Sequence, residues 1–129
     1  MNTRVEEAIE RKKHCNCAQA VLSTYCDLTG VDEATSMRLC QGLGAGMGNM
    51  EGTCGAVVGA CIAYSLIAEN KGAAMQGSKQ IMEKFKERNG STQCKALKGV
   101  DTKVVLRECP MCVADACEFL EELINAEKK

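Results

Sequence analysis

Apolar side chains recur at three- and four-residue intervals along most of the chain, the spacing that lines one face of an α-helix. Val5 and Ile9, four apart, predict a first helix over residues 4–13. Ala18, Val21, Leu22 and Tyr25 form a second stripe. It opens after Asn16, a good N-cap, and closes at Gly30, a residue suited to a C-terminal cap. Asp32 caps a third helix, which carries Met37 and Cys40 and gives out at Gly42. Residues 42–52 then place glycine at nearly every second position, a composition that holds a loop rather than a helix. After Thr53 a helix runs to about residue 70. Val57, Val58, Ile62, Tyr64, Leu66 and Ile67 make it apolar nearly all round, so it belongs at the centre of the fold. Beyond Gly72 an amphipathic helix reaches residue 88, with Ile81, Met82 and Phe85 inward. Ser91 opens a short helical turn closed by Gly99. Pro110 opens the last helix, whose buried stripe is Val113, Ala116, Leu120, Leu123 and Ile124.

The β-branched run at residues 102–105 is too short and isolated to build a sheet. The expected fold is all-α: one single-domain bundle over residues 1–129, with about five to seven helices around an apolar central one. The chain has 26% charged residues and a net charge of −1, with basic and acidic side chains interspersed. Aromatics are 3% and no basic stripe is present, which excludes a base-stacking nucleic-acid surface. The charged first fourteen residues lack the apolar core of a secretory signal. The longest apolar run, residues 56–68, falls short of the roughly 20 needed to span a bilayer. A cytoplasmic protein with no membrane partner is expected.

Ten cysteines in 129 residues change that ordinary picture. Reducing cytosol opposes structural disulfides, so metal binding or redox chemistry is the better explanation. Cys26, Cys40, Cys61 and Cys117 fall within helical apolar patterns and read as small core hydrophobes. The others gather at helix starts. Asn16 puts Cys17 at a first helical position, Thr53 does the same for Cys54, Ser91 places Cys94 in a first turn, and Pro110 makes Cys109 the cap residue. A helix start offers unpaired N–H groups and about half a positive charge, which stabilise a thiolate. Converging starts would also neutralise an anionic, sulfur-rich cofactor.

Asn16-Cys17-Ala-Gln-Ala-Val21, Gly52-Thr-Cys54-Gly55-Ala-Val-Val-Gly59, Gly90-Ser-Thr-Gln-Cys94 through Gly99, and Cys109-Pro110 through Asp115-Ala116 together resemble the redox-active family named for its C_GCAxxG_C_C pattern. The resemblance spans about residues 5–124. It implies an all-helical fold with signature cysteines on Cys17, Cys54, Cys94 and Cys109. Gly52, Gly55 and Gly59 are candidate positions where backbone approaches a cofactor. Relatives include a domain of split-Soret cytochromes associated with an iron–sulfur centre. This chain lacks Cys-x-x-Cys-His, so no haem is implied. Cys112 is an alternative to Cys109 for the fourth role.

Other features are weaker. Cys15 and Cys17 form a close pair, and Cys109-Pro-Met-Cys112 has redox-motif spacing without the βαβ pattern of a thioredoxin. His14, the only histidine, reads as solvated, as do Glu118, Glu121 and Glu122. The glycine loop matches no nucleotide motif and instead suits a small-anion nest, close approach to a cluster, or a flexible connector. Met47 and Met50 flank it as adaptable packing.

Three functions compete. The first is electron transfer or redox sensing through an iron–sulfur cluster on Cys17, Cys54, Cys94 and Cys109. The second is a metal-free thiol–disulfide oxidoreductase attacking through Cys54. The third is a structural zinc site with four cysteine ligands. A redox partner protein is expected, and a homo-oligomer is compatible with the sequence.

Overall fold

The computed structural model describes residues 3–127. Its α-helices are α1 (Thr3–Arg11), α2 (Cys17–Thr24), α3 (Cys26–Thr29), α4 (Glu33–Leu39), α5 (Gly55–Ile67), α6 (Lys71–Asn89), α7 (Cys94–Lys98) and α8 (Cys109–Glu127). A kinked turn with non-helical backbone at Met47 and Gly48, Gly46–Met50, lies between α4 and α5. The architecture is all-α. No described helix is long and apolar enough to cross a membrane.

The predicted second helix is two pieces. The chain breaks at Tyr25 (φ −109°, ψ 20°), whose fully buried ring enters the core while its hydroxyl donates to Glu121 at 3.0 Å. Burying that ring with a partner for its polar end outweighs one continuous turn of helix. Gly30 then ends α3 in the left-handed conformation, as expected. In α6 the cap is Asn70, which accepts the Ala73 N–H at 2.9 Å, so the helix starts just before Gly72.

The central position of α5 holds: it packs against α2, α6 and α8. Val21, Leu22, Val57, Ile81, Phe85, Val113 and Leu120 fill the core between them. The α2–α5 crossing is unusually close because Gly59 has no side chain. A Cβ there would lie 2.7 Å from the Ala18 carbonyl oxygen. Gly59 is therefore a packing residue at a helix crossing, not a position facing a cofactor. Tyr64 likewise occupies the space a side chain at Gly77 would need.

Two expectations about buried residues are corrected. Cys40 and Cys117 are fully buried, but Cys26 and Cys61 are only half-buried. Cys26 sits beside polar groups, donating to the Ser23 carbonyl at 3.2 Å. The acidic face of α8 is not simply solvated either. Glu121 receives Tyr25, Glu118 pairs with Arg88 at 2.6 Å, and Glu122 pairs with Lys84 at 2.7 Å. These contacts tie α8 to α6 and to the break between α2 and α3.

Gly59→Ala should destabilise the fold by about 1–3 kcal/mol, because the obstacle is backbone and cannot rotate away. Gly42→Ala, which meets nothing within 4 Å, should leave the denaturation midpoint nearly unchanged in the same urea titration.

Candidate functional site

Cys17 begins α2, and its cap is reciprocal. Asn16 Oδ1 accepts the Gln19 N–H at 2.8 Å, and Gln19 Oε1 accepts the Asn16 N–H at 3.1 Å. Asn16 Nδ2 also donates to the Cys40 carbonyl at 3.0 Å, binding this helix start to the chain that enters the glycine loop.

Cys54 is displaced by one position from the expected register: it is itself the residue before α5. The cause is tertiary. Thr53 forms an isolated antiparallel bridge with Gln93 and is held extended. Across that bridge the Cys54 N–H donates to the Thr92 carbonyl at 2.7 Å, and the Cys94 N–H donates to the Gly52 carbonyl at 3.0 Å. Cys94 is the first residue of α7, after Gln93; Ser91 only accepts the Gln93 N–H. Cys109 opens α8, one position further into the helix than expected, and Cys112 follows one turn later.

Glycine makes the convergence fit. A Cβ on Gly46 would lie 2.6 Å from Cys94 Cβ, and one on Gly55 would lie 3.1 Å from the Leu43 carbonyl oxygen and 3.5 Å from Cys17 Cβ. The Gly52 N–H donates to the Gly46 carbonyl at 3.0 Å while its own carbonyl holds Cys94. The loop is thus a folded collar. Ala45, Met47 and Met50 carry positive φ within it, a conformation that surrounding structure must enforce. Met47 is exposed and Met50 half-buried, and neither lines the site.

The result is one small pocket, with a cavity of about 10 Å³, lined by Cys17, Cys54, Cys94, Cys109 and Cys112, with Gly55, Leu97, Lys98 and Arg107. The four predicted cysteines and the alternative fifth are all brought together. Cys15 is half-buried outside it, its thiol directed to the Arg11 carbonyl at 3.2 Å. His14 is exposed.

All ten cysteines are free thiols. Within the pocket they divide by charge preference. Cys109 is drawn down to about 5, first by a hydrogen bond from Cys17, against the cost of burial, and further by the Lys98 ammonium. Cys54 also lies below its ordinary value, first through Cys112 and then through the Ala56 and Val57 N–H groups at the start of α5. Cys17 and Cys112, their neighbours, are pushed up, first by those pairings and then by burial; the Cys112 thiol also lies 3.7 Å from the Arg107 carbonyl, to which it can donate. Burial raises Cys94. The thiols thus fall into two pairs, Cys109 with Cys17 and Cys54 with Cys112, the first sulfur of each being the more easily ionised.

Lys98, Arg107 and Asp115 complete the site, and sequence periodicity did not single them out. Lys98 lies one turn after Cys94 on α7, so the i, i+4 spacing carried a signal. Arg107 is fixed by Asp115, which is 1% exposed on α8. Its Nε and Nη2 donate to the two carboxylate oxygens at 2.9 and 3.0 Å. Arg88 and Asn89 of α6 complete the set, at 2.9 and 3.0 Å. Burial works against the Asp115 charge, and these donors overcome it, holding the carboxyl below its usual range.

Residues 15–123 match the family model described as "Putative redox-active protein (C_GCAxxG_C_C)". The chain belongs to this family. The C_GCAxxG_C_C pattern is thus a list of thiols that one pocket gathers from four separate helix starts. Neither a curated protein nor a solved structure matches the chain.

In metal-free protein at pH 7, iodoacetamide should modify Cys109 first among the pocket thiols, read by peptide mass mapping. Lys98→Met should slow that reaction and move its midpoint above about pH 5. Asp115→Asn should cost about 2 kcal/mol at neutral pH, less than a fully buried pair because both arginines are partly exposed. The carboxyl is depressed in the folded state, so its contribution is present above the unfolded carboxyl range. It should fade as pH falls through the folded value, bringing the two denaturation curves together in acid.

Proposed function

We propose that this protein carries electrons, or senses redox state, through an iron–sulfur cluster held by Cys17, Cys54, Cys94 and Cys109. The observation that carries this reading is the gathering of five thiols from four helix starts into one pocket with two cations. Dithiol chemistry needs two sulfurs and leaves the rest unexplained. Around a single tetrahedral zinc, thiolates would crowd to about 3.8 Å apart, given Zn–S distances of about 2.3 Å. Among the described residues no three His, Cys, Asp or Glu side chains stand together as a metal-holding group, so the thiols would have to draw in around a centre of either kind.

The surrounding residues suit an anionic, sulfur-rich group. Lys98 and Arg107 offset its charge, the Ala56 and Val57 N–H groups support the Cys54 sulfur, and Leu97 and Gly55 limit water. When bound, such a cluster supplies one-electron uptake and release with little structural change. Cys112 is a fifth thiol beside Cys54, available to replace a ligand.

A second reading rests on the thiol pairs. Without metal, the Cys109 thiolate would attack a substrate disulfide, forming a mixed disulfide and releasing one thiolate. Cys17, losing its proton, would then attack Cys109, forming the intramolecular disulfide and releasing the second thiolate. Two electrons pass to the substrate. In this version Cys109, more accessible than Cys54, is the attacking sulfur.

Anaerobic purification with iron and sulfide supplied should yield a brown protein containing both, with visible absorbance bleached by dithionite. Cys54→Ser should lose the colour, and Cys26→Ser, outside the pocket, should keep it. A colourless, iron-free protein whose titratable thiols fall by two on mild oxidation, with Cys17 joined to Cys109, would replace the cluster with the dithiol mechanism.

A further inference from the structure

The four sulfurs that would hold a cluster leave one pocket thiol without a task, and its place is specific. Cys112 is 2% exposed and lines the pocket one turn into α8. Its thiol is hydrogen-bonded to that of Cys54, and on its other side it lies 3.7 Å from the Arg107 carbonyl. Cys17 is engaged in the same way with Cys109. Cys54 and Cys112 are therefore a contact of their own, separate from the pair that the dithiol reading uses.

The main chain holds both partners in place. The Cys54 N–H donates to the Thr92 carbonyl at 2.7 Å, and the Cys54 carbonyl accepts the Val58 N–H at 3.1 Å. The Cys112 N–H donates to the Glu108 carbonyl at 2.9 Å. The two helices that these residues open, α5 and α8, pack directly on one another. Neither sulfur leaves the other without breaking backbone hydrogen bonds. Two sulfurs in contact on fixed backbones are the starting geometry for a disulfide, which closes them to about 2.05 Å.

The pocket also limits what can oxidise them. Its cavity of about 10 Å³ is the room of a single water-sized molecule. Cys54 is 5% exposed. A small hydroperoxide matches that scale, whereas a protein disulfide or glutathione disulfide is far too large.

We propose that Cys112 is the resolving thiol for Cys54: when a small hydroperoxide oxidises Cys54, Cys112 captures it as a Cys54–Cys112 disulfide, which a dithiol reductant reopens. In the first step the Cys54 sulfur attacks one peroxide oxygen. The O–O bond breaks, Cys54 becomes a sulfenic acid, and the thiol proton leaves with the other oxygen as water. In the second step the Cys112 sulfur attacks the Cys54 sulfur. The S–O bond breaks, the S–S bond forms, and the departing hydroxyl takes the Cys112 proton as a second water. Two thiols lose two electrons and one peroxide gains them. Without Cys112 the sulfenic acid meets further peroxide and passes to sulfinic acid, which dithiols do not reduce. The benefit to a cluster rests on the reading of Cys54 as a ligand, since the disulfide keeps that ligand recoverable after oxidation empties the site. The linkage itself stands apart from that reading.

The test treats the reduced, metal-free full chain with hydrogen peroxide, quenches by alkylation and maps the cysteines by peptide mass. Cys54 should be recovered joined to Cys112, and dithiothreitol should return both as free thiols. In Cys112→Ser, whose hydroxyl can still donate to the Arg107 carbonyl, sulfinic and sulfonic acid at Cys54 should rise at least ~10-fold. After reduction, iron and sulfide uptake relative to each protein's untreated sample should be retained in the wild type and mostly lost in the variant. A Cys54–Cys112 link counts for the proposal with or without a Cys17–Cys109 link beside it. Cys54 joined instead to Cys17, Cys94 or Cys109, or equal irreversible oxidation of Cys54 in the two proteins, would overturn it. Should the variant not fold, the wild-type linkage map decides alone. A Cys54–Cys112 link in protein that takes up no iron before or after treatment would uphold the resolving role and count against the proposed cluster instead.

Discussion

Two hydrogen bonds across a single residue pair hold the candidate site together. Thr53 and Gln93 lie antiparallel, and the bonds on either side, Cys54 to Thr92 and Cys94 to Gly52, fix two sulfur-bearing residues forty positions apart in the chain. Side chains alone would leave the start of a five-residue helix such as α7 free to shift, because so short a helix has little stability of its own. Backbone pairing removes that freedom. The glycines of the collar permit it, since Gly46 and Gly52 let two chain segments approach more closely than any side chain would allow.

Around that clamp the charges are arranged in pairs. Each of the more acidic thiols is matched with a less acidic neighbour or a cation, and the guanidinium with a carboxylate: Cys109 with Cys17 and Lys98, Cys54 with Cys112, Arg107 with Asp115. Burial penalises the thiolates and the carboxylate, so the set is stable only as a set. This is the reason a carboxylate deep in α8 matters to the pocket. It holds the guanidinium that faces the thiols.

Most of the helices were legible from residue spacing because each one buries a continuous stripe, and the Asn16 cap was legible because both of its hydrogen bonds are local. The place of Cys17, Cys54, Cys94 and Cys109 at or beside helix starts was legible, and Cys112 joins them because it lies one turn into the same helix as Cys109. The errors lie where a distant contact overrides a local preference. Thr53 has the chemistry of a cap but is taken by Gln93, and Tyr25 breaks its helix to reach the core and Glu121. Gly59 shares a motif with Cys54, yet it meets the Ala18 backbone inside α2, because one helical turn along the same face as Gly55 carries it away from the pocket. Arg107 was invisible for a different reason: its importance comes from Asp115, a polar residue set in the buried stripe of the last helix. That anomaly was itself readable.

The ordering of these helices along the chain sets a schedule for assembly. Cys17, Cys54 and Cys94 are all synthesised before α8, which brings Cys109, Cys112 and the carboxylate that restrains Arg107. Until that helix docks, three thiols face a half-built cavity without the neighbours that govern their protons. A centre that needs all four helix starts is therefore complete only once α8 has docked against the other helices.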